Sequence, residues 1–304
     1  MLPLVYSPDY VTAMPQGHRF PMSKFALLHQ RLLQNGIARP EQFHCPQIPP
    51  RDWLCLVHSP SYVQAFCEGT LDPKALRRIG LPWNPGLAHR TCTAVGGTVL
   101  TARLALASGL ACNTAGGTHH AFPDFGSGFC IFNDMAIATR VLQQEGLIKK
   151  VLIIDLDVHQ GDGTAFIFRD DPSVFTFSMH CEENFPGYKQ KSDLDVPLPQ
   201  GMGDDAYIQV LKSHLLSLMK DVKPDLIFYD AGVDPHQADH LGKLKLTDEG
   251  LYRRDMEVLS TALALGYPLA AVIGGGYDNN LHALVARHAI LHQAATEIYQ
   301  RFKP

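Results

Sequence analysis

Short, continuously apolar runs recur along the chain, and several stop abruptly at Gly, Asp or His. They are "LPLVYSP" (2–8), "WLCLVHSP" (53–60), "GLACNTAGG" (109–117), "KVLIIDLDVH" (150–159), "SVFTFSMH" (173–180), "DLIFYDAGVD" (225–234) and "PLAAVIGGGY" (268–277). A short run without polar alternation reads as a strand buried on both faces. Between these runs lie segments of helical period. In "NDMAIATRVLQQEG" (133–146), Asn133 is placed to cap the N-terminus and Gly146 to end the helix. "DDAYIQVLKSHLLSLMKDV" (204–222) and "TDEGLYRRDMEVLSTALALG" (247–266) have the same character. The alternation predicts an α/β fold, a single-domain open parallel sheet flanked by helices on both faces, over residues 1–304. From about 35 to 90 the pattern is irregular and rich in proline, and it places no element.

Composition narrows the class without changing the fold. Of 304 residues, 46% are apolar and 18% charged, which supports a large core and excludes a disordered chain. The formal charge of −4 offers nothing to a nucleic acid or an anionic membrane. The seven cysteines are scattered, with no CxxC pair, as in a protein with reduced thiols. No apolar run approaches the length of a membrane span, and "MLPLVYSPDY" lacks a basic, then apolar leader. A cytoplasmic location is expected, with no direct contact to nucleic acid or membrane. Oligomeric state is not legible.

The polar residues that end the strands carry the chemistry. In open parallel sheets, ligands bind beyond the carboxyl ends of the strands. The run "VLII" ends in "DLDVHQGDGT" (155–164), with Asp155, Asp157, His159 and Asp162 in eight positions. Asp155, Asp157 and His159 share a face if the chain stays extended. Converging carboxylates and an imidazole repel or compete unless a cation lies between them. Other strand ends supply matching groups: "GGTHH" brings His119 and His120, "AGVD" brings Asp234, and "GGGY" brings Tyr277. Singly, each has a plain structural reading as a loop, a cap or packing. Together they form one rim of proton-transfer groups, acids and a phenol.

At this point four ordered motifs, "GGTHHAFPDFGSGFCIFND", "DLDVHQGDGT", "GVDPHQADHLG" and "GGGY", resemble the zinc-dependent histone deacetylase family of the arginase–deacetylase fold. The similarity is greatest to its class IV branch and bacterial relatives. It runs from about Pro15 to the last helix. The resemblance implies that Asp157, His159 and Asp234 ligate one divalent ion, Zn²⁺ with Fe²⁺ as the alternative, leaving an open position. It implies His120 as general base and His119 as its electrostatic partner, with Asp155 and Asp162 orienting the two rings, and Tyr277 as oxyanion donor. Asp155 thereby moves from the ligand set to the groups behind it.

Two K⁺ or Na⁺ sites also belong to the family. The nearer would use Asp155 and Ser178 with backbone oxygens of Asp157, His159 and Met179. The farther would use backbone oxygens around Phe168, Asp171 and Val174. The substrate tunnel would be lined by Phe129 and Gly128 of "GSGFC", Phe185 and, at the rim, Leu241. Where many relatives carry an arginine, "GHRFPMSKF" has Lys24. Its flexible ammonium and the class IV likeness together imply a preference for long acyl chains over acetyl.

The implied activity is hydrolysis of a linear amide, removing acyl groups from lysine side chains of proteins or peptides. The alternatives are an acetylpolyamine or other small acylamine as substrate, and a non-catalytic acyl-lysine-binding scaffold. Polyamine selectivity would require an acid at the rim, and Asp239 lies close to Leu241. A two-metal ureohydrolase of the same fold would require an acid at position 161, where this chain has Gly161.

Overall fold

A computed structural model of the protein describes residues 1–302, so the last two residues of the expected domain lie outside the described part. Eight strands form one sheet: β1 (Leu4–Val5), β2 (Phe43–His44), β3 (Leu110–Asn113), β4 (Val151–Asp155), β5 (Val174–Cys181), β6 (Leu194–Leu198), β7 (Leu226–Asp230) and β8 (Leu269–Val272). Their order is β2-β1-β3-β8-β7-β4-β5-β6, and every neighbouring pair is parallel. The central strands are buried along their whole length, as their unbroken apolar runs require. The edge strand β6, "LDVPL", is partly open, and an edge is where Pro197 can sit.

Ten α-helices and two short 3-10 turns complete the described chain, the α-helices being α1 (Lys24–Gln34), α2 (Arg51–Leu54), α3 (Pro60–Glu68), α4 (Pro73–Ile79), α5 (Pro85–Ser108), α6 (Asp134–Gln144), α7 (Asp162–Phe168), α8 (Asp204–Val222), α9 (Asp248–Ala264) and α10 (Leu281–Phe302). Helix α5 packs against β3, β8 and α6, while α1, α10, α9 and α8 form a second packed series. Side-chain caps start α6 and α9, whereas α8 has Gly203 at its N-cap and no side-chain cap bond. Asn133 accepts from the backbone N–H of Ala136, and Thr247 accepts from Gly250. Among the described residues, no helix is long and apolar enough to cross a membrane.

Two readings are corrected. "WLCLVHSP" is not a strand: Arg51–Leu54 is helical, and the following turn leads to Pro60 at the start of α3. Its apolar residues point into the core from a helix and a turn, a distinction that short apolar runs do not encode. The irregular stretch before residue 90 holds β2 and three short helices, α2 to α4, each started at or just after a proline. Strands β2 and β6 left no signal, being short or partly exposed.

Candidate active site

Strands β3, β8, β7, β4 and β5 all end on one side of the sheet, and the polar residues of the motifs gather there. After β3 the chain makes a sharp loop organised by Asp134, whose carboxylate accepts from Gly117 N (3.1 Å) and Thr118 N (2.8 Å). That loop presents His119 and His120 with ring centroids 4.1 Å apart. Each ring is gripped at Nδ1 by its own carboxylate. The distances are 2.7 Å from His119 to Asp155 Oδ2, at the end of β4, and 2.6 Å from His120 to Asp162 Oδ1, the first residue of α7. A carboxylate only accepts, so Nδ1–H donates in both and Nε2 faces the site. All four residues are buried.

The surroundings drive the two imidazoles apart. Burial disfavours a charge on either. For His119 it is outweighed by the carboxylates of Asp155 and Asp157, and the ring is held well above the ordinary histidine range. For His120, burial is reinforced by His119, and the ring falls to about 4 despite Asp162. The surroundings thus favour a proton on His119 and disfavour one on His120.

Just past β4 the backbone turns, so Asp157 and His159 face a different set of groups from Asp155. His159 Nδ1 lies 2.9 Å from Asp157 Oδ1 and 3.1 Å from Asp234 Oδ2. Backbone amides hold the carboxylates: Val158 N donates to Asp234 Oδ1 (2.8 Å), and Gly275 N donates to Asp157 Oδ2 (2.8 Å). One ligand atom from each of the three buried residues lies within 4.8 Å of the other two. Metal–ligand bonds of about 2.0–2.2 Å fit inside such a triangle. The electrostatics fit a cation as well. Burial, then the neighbouring charge of Asp157, lifts Asp234 to about 7. His159 is lifted to about 10 by the two carboxylates in spite of its burial. Two buried acids sharing one imidazole proton lack positive charge, which a divalent ion would supply.

Glycines make the close approach workable. A Cβ at Gly275 would collide with Asp157 Oδ2 and Asp234 Oδ2, and one at Gly161 with Asp155 Oδ2. Position 161, a glycine, supplies no bridging acid of the kind that a two-metal ureohydrolase needs.

A cavity of about 530 Å³ leads from the surface to His120, His159 and Tyr277, and Gly128, Phe129, Phe185 and Leu241 line it. Gly128 is pressed against His120, where an added Cβ would sit 2.7 Å from the ring. His120 and Phe185 lie nearly perpendicular, 4.9 Å between centroids, and Phe129 lies 5.6 Å from Tyr277. Tyr277 is pinned through its backbone, its N–H donating to Asp239 Oδ2 (2.6 Å). On β5, Ser178 pairs in register with Asp155, and Ser178 Oγ is 2.9 Å from His180 Nδ1.

Lys24 departs from expectation. Its ammonium is buried and donates to Gly274 O at 3.2 Å, and the rings of Phe25, Tyr277 and Phe20 lie within 6 Å. It is held in place rather than free to swing aside. The cavity it borders with Phe20, Arg90 and Tyr277 is only about 30 Å³.

Three participants left no signal in the sequence. Asp134 sits in "FND" as an ordinary first-turn acid, yet it shapes the histidine loop. Arg254, buried in α9, donates to the carbonyls of Gly232 (2.6 Å) and Leu156 (3.4 Å), bracing the strand ends that carry Asp234 and Asp157. Asp230 is fully buried with both oxygens unpartnered, and one of its oxygens groups with ligand atoms of His119 and Asp155.

Comparison with known proteins agrees with this architecture. A family model described as a histone deacetylase domain matches residues 18–293. An uncharacterized protein of Picosynechococcus sp. is 67% identical over 98% of this chain and 99% of its own. The acetoin utilization protein AcuC of Staphylococcus aureus is 34% identical over 86% of this chain and 73% of its own. Histone deacetylase 2 of Arabidopsis thaliana is 28% identical over 93% and 76% respectively. The crystal structure of the HDA15 HD domain superposes with a TM-score of 0.79, covering 99% of this chain and 92% of that one at 22% identity, a likeness of fold.

Proposed function

The chain belongs to the histone deacetylase family, and from that premise we propose that it is a metal-dependent amidohydrolase that removes acyl groups from lysine side chains. The observation that carries the reading is the pair of histidines, each locked by its own carboxylate, facing the buried Asp157–His159–Asp234 cluster. A divalent ion held by Asp157, His159 and Asp234 would polarise the amide carbonyl and lower the pKa of water. With one imidazole and two carboxylates as donors, Zn²⁺ and Fe²⁺ both suit.

The chain's own groups divide the rest of the work. The apolar walls of Phe129 and Phe185 receive the aliphatic stem and exclude water from it. His120, neutral and with Nε2 free, accepts the proton of the attacking water and returns it to the departing amine. His119, its Nδ1–H donating to Asp155, stabilises negative charge as it develops. The Tyr277 phenol, kept protonated by burial and by the nearby acids Asp157 and Asp234, donates to the carbonyl oxygen as it becomes anionic. Asp155 and Ser178, paired across β4 and β5, would bind a K⁺ or Na⁺ ion beneath the histidines. The small space beside Lys24 favours acetyl over longer acyl groups.

The test is turnover by purified protein of matched acetyl- and octanoyl-lysine peptides and of acetylpolyamines. Acetyl-lysine is expected to be cleaved fastest, chelation to abolish cleavage, and Tyr277→Phe to lower kcat about 10²–10³-fold with metal content intact. An unchanged kcat with only KM raised would make the phenol a binding group. Cleavage that rises toward octanoyl would mean the small cavity does not set acyl length.

A further inference from the structure

Charge around the tunnel mouth is one-sided. The cavity that descends to His120, His159 and Tyr277 is walled by Arg19, Arg77, Arg78 and Lys243, against a single acid, Glu183. The whole chain carries −4, so this basic ring runs against the overall balance.

Its members are built into place. Arg77 and Arg78 occupy the last turn of α4, where the helix dipole favours cations. That helix end is stitched to the tunnel wall, Gly128 N donating to Arg78 O (3.3 Å) and Phe129 N to Ile79 O (2.8 Å). The Arg78 guanidinium lies 4.4 Å from the Phe125 ring centroid, and that of Arg19 lies 5.3 Å from the Phe129 centroid. Among the described residues, none of the three arginines has a carboxylate at ion-pair distance.

Acids near the mouth are turned to other uses. Glu183 Oε2 accepts from Gln200 N (3.1 Å). Asp239, the acid closest to Leu241, spends Oδ1 on the amides of Leu241 (2.8 Å) and Gly242 (2.9 Å) and Oδ2 on Tyr277. Asp278 is paired with Arg287 at 2.6 Å. What remains for an incoming molecule is three arginines without a carboxylate partner, with Lys243 resting on the Glu183 carbonyl, around an apolar hole.

Resting on the reading that the hole takes an acylated lysine, we propose that the mouth selects substrates in which acidic residues flank that lysine. Acylpolyamines and lysine- or arginine-rich tails carry the charge of the ring itself and are disfavoured. Uncompensated cations at a cleft attract an anionic partner and orient it before contact, and like charge is repelled.

Three acetyl-lysine peptides, alike except for two Glu, two Ser or two Lys beside the acetyl-lysine, decide the matter, with an acetylpolyamine as a fourth substrate. Both kcat/KM and binding, by fluorescence anisotropy, are measured on the metal-loaded enzyme. The expected order is Glu, Ser, Lys, with about tenfold or more between the extremes at low salt. The spread should shrink as added salt shortens the screening length from about 30 Å to about 3 Å. An R77E/R78E variant should reverse the order, the Ser-flanked peptide serving as internal reference for any loss of folded protein. Equal rates and affinities across the three flanks overturn the proposal, as does an acetylpolyamine cleaved faster than every peptide. Absence of turnover with the binding order intact would sink the proposed activity and leave the charge preference standing.

Discussion

Asp230 and Lys24 show how much a single buried charge can weigh when its partners are few. Both oxygens of Asp230 lack a hydrogen-bond partner, and burial followed by the nearby charge of Asp155 holds its pKa well above 3.8. The folded state therefore keeps a proton that the unfolded chain gives up. The stabilisation this provides is full below about pH 4 and is lost as pH rises toward the folded value. Asp230→Asn keeps the shape and removes the titration, so denaturation midpoints at about pH 5 and about pH 8 should differ less in the variant than in the wild type. Identical pH dependence in the two would show that Asp230 is ionised in the native protein. For Lys24 the sign is opposite. Burial lowers its pKa from 10.5 to about 8 although Asp234 and Asp157 pull the other way, so the folded protein holds an unfavourable charge below that value. Lys24→Met should gain about 1–3 kcal/mol at neutral pH, net of the lost bond to Gly274. The gain should fade as pH climbs from about 8 through 10.5. Urea unfolding across that window reads it directly, and a variant less stable at pH 7 would contradict the assignment.

At the scale of elements, the site is a set of strand ends whose backbones must come closer than side chains permit. The "GGGY" turn after β8 is the clearest instance. Gly274 has φ +55° and abuts Asp230, while Gly275 donates its N–H to Asp157 and leaves no space for a Cβ between two carboxylates. Gly275→Ala should displace Asp157 and Asp234 together. The expected result is a loss of divalent-ion affinity of at least tenfold, measured by calorimetric titration, with a far-UV spectrum like the wild type's. Retained affinity would mean that the turn yields and the carboxylates do not. The "GGG" run is visible in the sequence; what it approaches is not, because Asp157 and Asp234 come from other strands.

Over the whole molecule, one sheet with its polar strand ends on a single side concentrates buried charge beneath a basic mouth. Bringing a divalent ion to the buried cluster should couple binding to folding. At about a thousandfold excess over Kd the linkage is worth about 4 kcal/mol, a clear rise in Tm. Asp234→Asn should cancel most of that rise. Elemental analysis is expected to find one divalent ion per chain, and two would require a second site to which Gly161 contributes no acid.

Local pattern alone determined the elements whose burial is uniform. "VLII", "LIFY" and "AAVI" are strands because nothing polar interrupts them, and Asn133 and Thr247 begin helices because their side chains satisfy amides within a few residues. Chemistry that recurs at strand ends was legible too, since an acid or histidine after an apolar run has little reason to be there except a site. Tertiary structure decided everything that depends on which distant group stands opposite. Turning of the backbone after Asp155 sends that carboxylate to His119 while Asp157 and His159 meet Asp234. Lys24 is immobilised by Gly274, a residue 250 positions away. Arg77 and Arg78 read as an ordinary helix terminus until the backbone bonds of Gly128 and Phe129 set them at the tunnel mouth. Hydrophobic burial and helix capping are governed by neighbours along the chain, whereas the charge a residue holds and the ligand it meets are set by groups the sequence separates and only the fold unites.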